Sequence, residues 1–414
     1  MSVVRAAAAR GVLLLIGVSA CGADAPRTDG AITRDSAGVR IVESPAPAWA
    51  PGHGWTVADT PSVDLAGADS VSGGLPRQIR TARFLGDGRI AVLDGQPADV
   101  RIFTSEGRLE RVVGGGGEGP GRFRATAMLA IVRGDSLLVH DPVLRRISLF
   151  DSNGRFGRSI ALGTLCPGGF FAPAGMLADG RLLLTCDELD VPFPGPEGTV
   201  SSDTVAVYLA DPSGTVRDTV GRYPASESFG VAVSLPRGVV VAPAPRPFGR
   251  NASIVVTDSQ FWIGFGDRFE VRMLSPTGRL QAIARARISP RSVTAQDISA
   301  FKVERRAMPL PDGFAGQIES ALRASLDRAP YPPTMPFYGR IVGDGPGRLW
   351  LEEYRPRGTE RPHWWVLDPA GRLLGLVALP WGFTPTDISR NALLGVWRSP
   401  EGAVRVRVYR LMGS

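Results

Sequence analysis

Residues 118–158, EGPGRFRATAMLAIVRGDSLLVHDPVLRRISLFDSNGRFGR, restrict the fold more than any other stretch of the chain. A Gly-Pro connection opens it. Three short apolar runs follow, at 128–132, 137–140 and 146–150, divided by Gly-Asp and Asp-Pro, and an Asn-Gly turn closes it. Strand runs divided by turn residues at this spacing describe a four-stranded antiparallel sheet. The same pattern stands just upstream, as FLGDGRIAVLD at 84–94 and VRIFTSEG at 100–107. Asp94 matches Asp141, Phe103 matches Phe150 and Gly107 matches Gly154, each pair 47 residues apart. A repeat of that length carrying four strands is a propeller blade and not a solenoid turn.

GEGPGRF at 117–123, followed by a strand, a Gly-Asp turn and a strand ending in Asp141, resembles the NHL-type blade. The chain as a whole resembles the six-bladed propeller lipoproteins of high-GC Gram-negative bacteria. That resemblance implies an architecture and brings no catalytic motif with it.

The expected fold is all-β: a six-bladed β-propeller over 37–414, with a short helical insertion at 292–329 between blades four and five. Blade one covers about 76–114, blade two about 118–162 and blade three about 168–223, with a proline-rich loop at 191–202. Blade four has strands at 252–257, 261–264 and 269–274. Blade five runs from about 338 to 380, and blade six uses 393–397 and 404–409. The segments 39–43 and 62–66 are the N-terminal strands, expected to complete the sixth blade and remove its free edge. The extra apolar run at 229–249 has no assigned place. In the insertion, TAQD at 294–297 gives an N-cap with an acid in the first turn. Phe314, Ile318, Leu322 and Leu326 then recur every fourth residue, as on the buried stripe of an amphipathic helix. That pattern suits a cap packed on the propeller better than a free docking element.

The N-terminus carries the most specific short signal. Arg5 and Arg10 form a basic n-region ahead of an apolar core, GVLLLIG at 11–17, that is too short to span a bilayer. VSAC at 18–21 resembles a bacterial lipobox, which makes Cys21 the expected lipid attachment site and 1–20 a lipoprotein signal peptide. Residues 21–36 read as a small, polar tether. Gly22 after the cysteine favours the outer membrane, facing the periplasm or the cell surface. In that oxidising compartment Cys166 and Cys186 form an even pair, expected as a disulfide across blade three.

The formal charge of +7 is mild for 414 residues, and its arginines are scattered. Without a basic helix or an aromatic-basic platform, nucleic acid is not an expected partner. Asp94 and Asp141 tempt as ligands, but an acid at a strand end more often caps the next turn through backbone N–H groups. His140 occupies the place of Leu93 and reads as a packed side chain. His53 and His363 lack zinc-site spacing. GGGGEG at 114–119 is followed by Pro120-Gly121 where a phosphate-binding helix would have to start. Some six-bladed propellers are hydrolases with a central calcium held by acids and asparagines, but Asn153, Asn251 and Asn391 all fall in turns. No catalytic residue, metal or cofactor is therefore expected. The favoured function is a lipid-anchored binding or scaffold module for an envelope protein, peptide or glycan. The alternative is a periplasmic hydrolase or lyase with a metal-assisted site at the central channel.

Overall fold

A computed structural model describes residues 30–50, 52–65, 78–163, 166, 169–188, 195–257, 259–355 and 361–413. Cys21, the signal peptide and most of the expected tether lie outside the described residues, as do 191–194 of the proline-rich loop.

Among the described residues the strands fall into six sheets, and apart from the N-terminal strands those of each sheet follow one another in antiparallel meanders. The first holds Ile79–Phe84, Ile90–Gly95, Ala98–Phe103 and Leu109–Gly114. The second holds Met128–Val132, Ser136–Asp141, Arg146–Phe150 and Phe156–Ala161. The third has Ala172–Met176, Leu182–Glu188, Val200–Ala210, Val216–Leu235 and Gly238–Pro245. The fourth has Ser253–Val256, Phe261–Gly264, Glu270–Leu274 and Leu280–Ala286. The fifth has Ile341–Gly343, Leu349–Glu352, His363–Leu367 and Leu373–Ala378. The sixth has Phe383–Ile388, Ala392–Arg398 and Val404–Met412.

The first strand of each sheet abuts the first strand of the next, and the sixth, Phe383–Ile388, meets the first, Ile79–Phe84. The sheets therefore stand around a closed ring, which is a β-propeller. Each sheet is apolar on both faces because each is buried on both faces. In the first sheet Ala91, Leu93, Val100 and Ile102 pack on Leu129, Leu137 and Val139 of the second. Ala82, Ile90 and Val92 turn the other way, onto Leu394, Val406 and Val408 of the sixth. The same sharing of side chains fills every other gap around the ring.

The repeated turns are fixed locally and then seated on the neighbouring sheet. Asp151 accepts the Asn153 and Arg155 amides at 2.9 and 2.8 Å, and Gly154 takes φ +74°, which disfavours any side chain. A Cβ on Gly154 would stand 2.4 Å from Val113 of the first sheet. Gly107, its counterpart, meets Leu65 and Val63 in the same way.

Alternating strand direction gives the ring two faces. First strands run from what we term the cap face to the turn face. The turns at 85–89, 133–135, 151–155, 177–181 and 344–348 gather on the turn face. The connection at 115–127 and the helical segment open on the cap face.

The N-terminal strands divide between two sheets. Val63–Leu65 and Thr56–Val57 pair with Val404–Met412, in the sixth sheet. Val39–Ser44 does not join them: it runs parallel to Leu280–Ala286 at the edge of the fourth sheet. There Ile41 and Val42 are buried. Residues 32–36, read from composition as tether, form a strand paired with 39–44, because the Ala37-Gly38 turn brings backbone to backbone. The stretch 229–249 also finds its place. Val216–Leu235 overruns the third sheet and turns back as Gly238–Pro245, a hairpin that projects beyond the cap face. Residues 200–202 belong to its partner strand, Val200–Ala210, and not to a loop.

Two helices, α1 (Ala295–Ala307) and α2 (Gly313–Ser325), fall between the fourth and fifth sheets in the chain. Thr294 and Asp297 cap α1 reciprocally, at 3.1 Å to the Asp297 amide and 2.9 Å back to the Thr294 amide. Leu322 and Leu326 are buried against Phe229, Val231 and Ala244 of the hairpin, with Phe301 and Ile318 beside them. Phe314, at the far end of that stripe in the first turn of α2, is half exposed.

Candidate functional site

The strand-end acids are structural clamps. Asp141 accepts four backbone N–H groups, from Arg124, Ala125, Val143 and Leu144, at 2.7, 3.3, 2.9 and 2.9 Å. Asp94 accepts from Gln78 and Gln96 at 2.8 and 3.1 Å, with the Arg101 guanidinium 3.6 Å away. In each case the acid ties the incoming connection to the end of the second strand. Oxygens that satisfy buried amides are not free for a metal or a substrate.

The third sheet solves the same problem with a different bond. Aligning Gly88-Arg89-Ile90 with Gly180-Arg181-Leu182 places Cys186 at the position of Asp94. Cys186 is bonded to Cys166, in the connection that enters that sheet, with 6.3 Å between the Cα atoms. Both cysteines are buried with Leu138, Ile147 and Leu184. A disulfide here joins the two segments that Asp141 joins by hydrogen bonds one sheet earlier. Sequence reasoning paired the cysteines but missed the correspondence, because it compared only the acids.

His140 lies in the wall between the second and third sheets. Burial pushes its imidazole down to about 4, against the opposing pull of Asp141, and its Nε2 has no hydrogen-bond partner among the described residues. A ring that stays neutral at ordinary pH is a packing group. His363 Nδ1 stands 3.7 Å from a Glu353 carboxylate that Arg355 already grips at 2.8 and 3.0 Å. Burial lowers its affinity for a proton as well. His53 sits in a turn closed on the Ala50 carbonyl. Among the described residues no three His, Cys, Asp or Glu side chains gather closely enough to share a metal ion.

The open space lies on the turn face. A cavity of about 270 Å³ is lined by Ile131, Val132, Met176, Leu177, Val256 and Thr257, where three of the first strands end. It shares Val132, Arg133 and Met176–Ala178 with a wider groove of about 630 Å³ between the second and third sheets. Leu149, Phe150 and Met176 give that groove an apolar lining, and Asp151, Arg158 and Asp179 give it a charged rim. The rim charges are occupied. Asp151 holds its own turn, Arg158 donates to the Pro212 carbonyl at 2.9 Å, and Asp179 pairs with Arg181 at 2.7 Å.

Arg133 is different. It lines both cavities and has no carboxylate partner among the described residues. Its turn is held from outside: Asp135 accepts the Gly86 amide at 3.0 Å, and Gly134 and Asp135 take φ of +72° and +56°. A Cβ on Gly86 would stand 2.7 Å from an Asp135 oxygen, so close approach requires glycine there. A guanidinium on a fixed turn, beside an apolar groove, is a ready partner for a carboxylate. Only a chance reading of the Gly-Asp turn could have found it, since the groove is made by residues from two sheets and the cavity beside it by residues from three.

These features define a β-propeller with a groove on its turn face. No protein-family model matches the chain, and no curated protein matches it. Among solved structures, a member of the DUF4221 family from Bacteroides vulgatus is 13% identical with TM-score 0.48, covering 87% of this chain and 99% of its own. A gluconolactonase from Xanthomonas campestris, also 13% identical, has TM-score 0.40 over 81% of this chain and 88% of its own. A virginiamycin B lyase from Staphylococcus aureus, 9% identical, has TM-score 0.40 over 86% and 99%. At such scores the assignment rests on sheet topology and ring closure, and the activities named belong to those proteins.

Proposed function

We propose that this chain is a six-bladed β-propeller, with its helices inserted between blades four and five, that acts as a binding module of the cell envelope. It is exported and held by a lipid on Cys21, and its turn-face groove takes an acid-bearing segment of a protein or peptide. The carrying observation is Arg133, a cation without a carboxylate partner among the described residues, placed where the smaller cavity meets the apolar-lined groove. The strand-end acids that could serve a metal-assisted hydrolase or lyase are committed to backbone amides, so the geometry favours binding over that alternative. A glycan would call for exposed aromatic platforms along the groove, whereas Phe150 is the single aromatic side chain in its lining and the rim charges of Asp151, Arg158 and Asp179 are already engaged.

Selection from a displayed random-peptide library against the mature protein tests this reading. Enriched peptides should carry Asp, Glu or a free C-terminus beside apolar residues. Their affinity should fall at least tenfold in Arg133→Glu and stay within twofold in Arg108→Glu, whose arginine is exposed on a turn of the first sheet and does not line the groove. Enrichment that ignores Arg133→Glu defeats the groove assignment. Chemical conversion of the captured peptides would move the reading to the hydrolase or lyase.

A further inference from the structure

Burial along the helical pair runs in one direction. At the base, Phe301 of α1, Leu322 of α2 and Leu326 just after it pack on the hairpin and on the return segment at Ala329 and Tyr331. At the free end the apolar side chains are open: Val303 is 70% exposed, Met308 42%, Leu310 53% and Phe314 51%. Arg323, next to Leu322, donates to the Arg306 and Met308 carbonyls at 3.3 and 2.6 Å, which ties the last turn of α1 to α2 while the four apolar side chains stay open. Four large apolar groups within twelve residues, on an ordered projection, make a surface that calls for a partner.

The position of the chain's start says which partner. Ile32 pairs with Glu43, and Glu43 stands opposite Arg285 on the strand that leads into the helices. Arg285 binds Glu43 at 3.2 Å and Glu270 at 3.1 Å, so this corner is locked. The described chain therefore begins on the cap face, at the end of the fourth sheet from which the helical segment departs. Cys21 precedes Gly30 by nine residues, which reach at most about 30 Å. A helix of 13 residues is itself about 20 Å long.

We infer that the free end of the helical pair, built on Val303, Met308, Leu310 and Phe314, docks into the headgroup region of the bilayer that holds the chain's N-terminus. The inference rests on the lipid anchor proposed above. Within 295–328 five basic residues, Lys302, Arg305, Arg306, Arg323 and Arg328, meet five acidic ones, Asp297, Glu304, Asp312, Glu319 and Asp327. The contact is accordingly apolar and tolerant of salt, and not an attraction to anionic lipid. Docking on the cap face leaves the turn face, with Arg133 and its groove, pointing away from the membrane. The anchor and the projection then act as two weak signals that together fix orientation.

The test uses the full lipidated chain in vesicles of three parts phosphatidylethanolamine to one part phosphatidylglycerol. An environment-sensitive fluorophore is placed on Ala315→Cys at the projection or on Asn153→Cys at the turn face. Nitroxide-labelled lipid should quench the label at 315 at least fivefold more than the label at 153. The triple variant Val303→Ser, Leu310→Ser, Phe314→Ser should remove that difference while leaving the melting temperature unchanged. Equal quenching at the two sites, with the protein still vesicle-bound, overturns the inference and leaves the anchor reading standing. Mass spectrometry finding no acyl chain on Cys21 ends the anchor reading instead. The projection is then judged in Cys21→Ser with added vesicles, where an unquenched label at 315 overturns the inference and a quenched one supports it.

Discussion

The Asp387 carboxylate accepts the Phe84 amide at 2.8 Å, across 303 residues of sequence. Phe84 ends the first strand of the first sheet and Asp387 lies in the first strand of the last. The bond is therefore made at the seam where the ring closes. Arg83 joins it, donating to the Thr386 carbonyl, while Thr386 Oγ1 donates to the Ala82 carbonyl at 2.9 Å. Burial pushes the Asp387 carboxyl up, and Arg83 pulls it down less strongly. The pair stands in the wall of the ring and not in the groove, so its role is closure.

The seam is predicted to be sensitive to loss of one partner and tolerant of loss of both. Asp387→Ala leaves a buried guanidinium uncompensated and should cost about 3–5 kcal/mol in urea unfolding. The double variant Arg83→Met, Asp387→Leu should recover the part that comes from the uncompensated charge, while the Phe84 and Ile388 amides still lose their acceptor. Equal losses in the single and double variants would show that the charges do not compensate each other.

His140 makes stability depend on pH with a defined sign. Its folded value is depressed from 6.5 to about 4, so the unfolded chain binds the proton more readily. The contribution is fully present above the unfolded value near 6.5 and is lost as pH falls through the folded value. Over that window the loss approaches about 3 kcal/mol. His140→Leu, which installs the residue found at Leu93 in the first sheet, should match wild type at pH 7 and exceed it at pH 4.5. Superimposable denaturation curves for the two proteins at pH 4.5 would remove the histidine from the account.

The N-terminal strands should differ in importance. Leu65 is buried between the sixth and first sheets and packs on Gly107. Leu65→Ala should cost about 2–5 kcal/mol. Ile32→Ala, on the exposed edge strand of the fourth sheet, should stay within about 0.5 kcal/mol. Urea midpoints decide this, and equal shifts would mean that 63–65 does not help to close the ring.

The two ends of α2 should separate as well. Leu322→Ser, at the buried base, should lower stability by roughly 2–4 kcal/mol, and Phe314→Ser should leave it within about 0.5 kcal/mol. A melting temperature that falls as far for Phe314→Ser would place that ring in the core after all.

What the sequence alone determined are the features that depend on near neighbours. The 47-residue spacing, the Asp-Gly turns and the Thr294–Asp297 cap are legible because a positive φ or a carboxylate-to-amide bond involves residues two to four apart. Short strands between such turns could only stack as four-stranded meanders, and meanders apolar on both faces require neighbours on both sides. Tertiary structure decided everything that depends on which segments meet. Val39–Ser44 carries nothing in its own residues that prefers the fourth sheet to the sixth; the free edge of Leu280–Ala286 chose it. Cys186 takes the part of Asp94 only because Cys166 enters beside it. The four-residue stripe of α2 runs past the end of the surface that buries it, so Leu322 is core and Phe314 is not. Arg133 becomes a candidate binding group because Gly86, from another sheet, pins its turn at the mouth of a groove that the second and third sheets share. Local bonds can be read along the chain, whereas burial is a property of the partner that arrives from elsewhere.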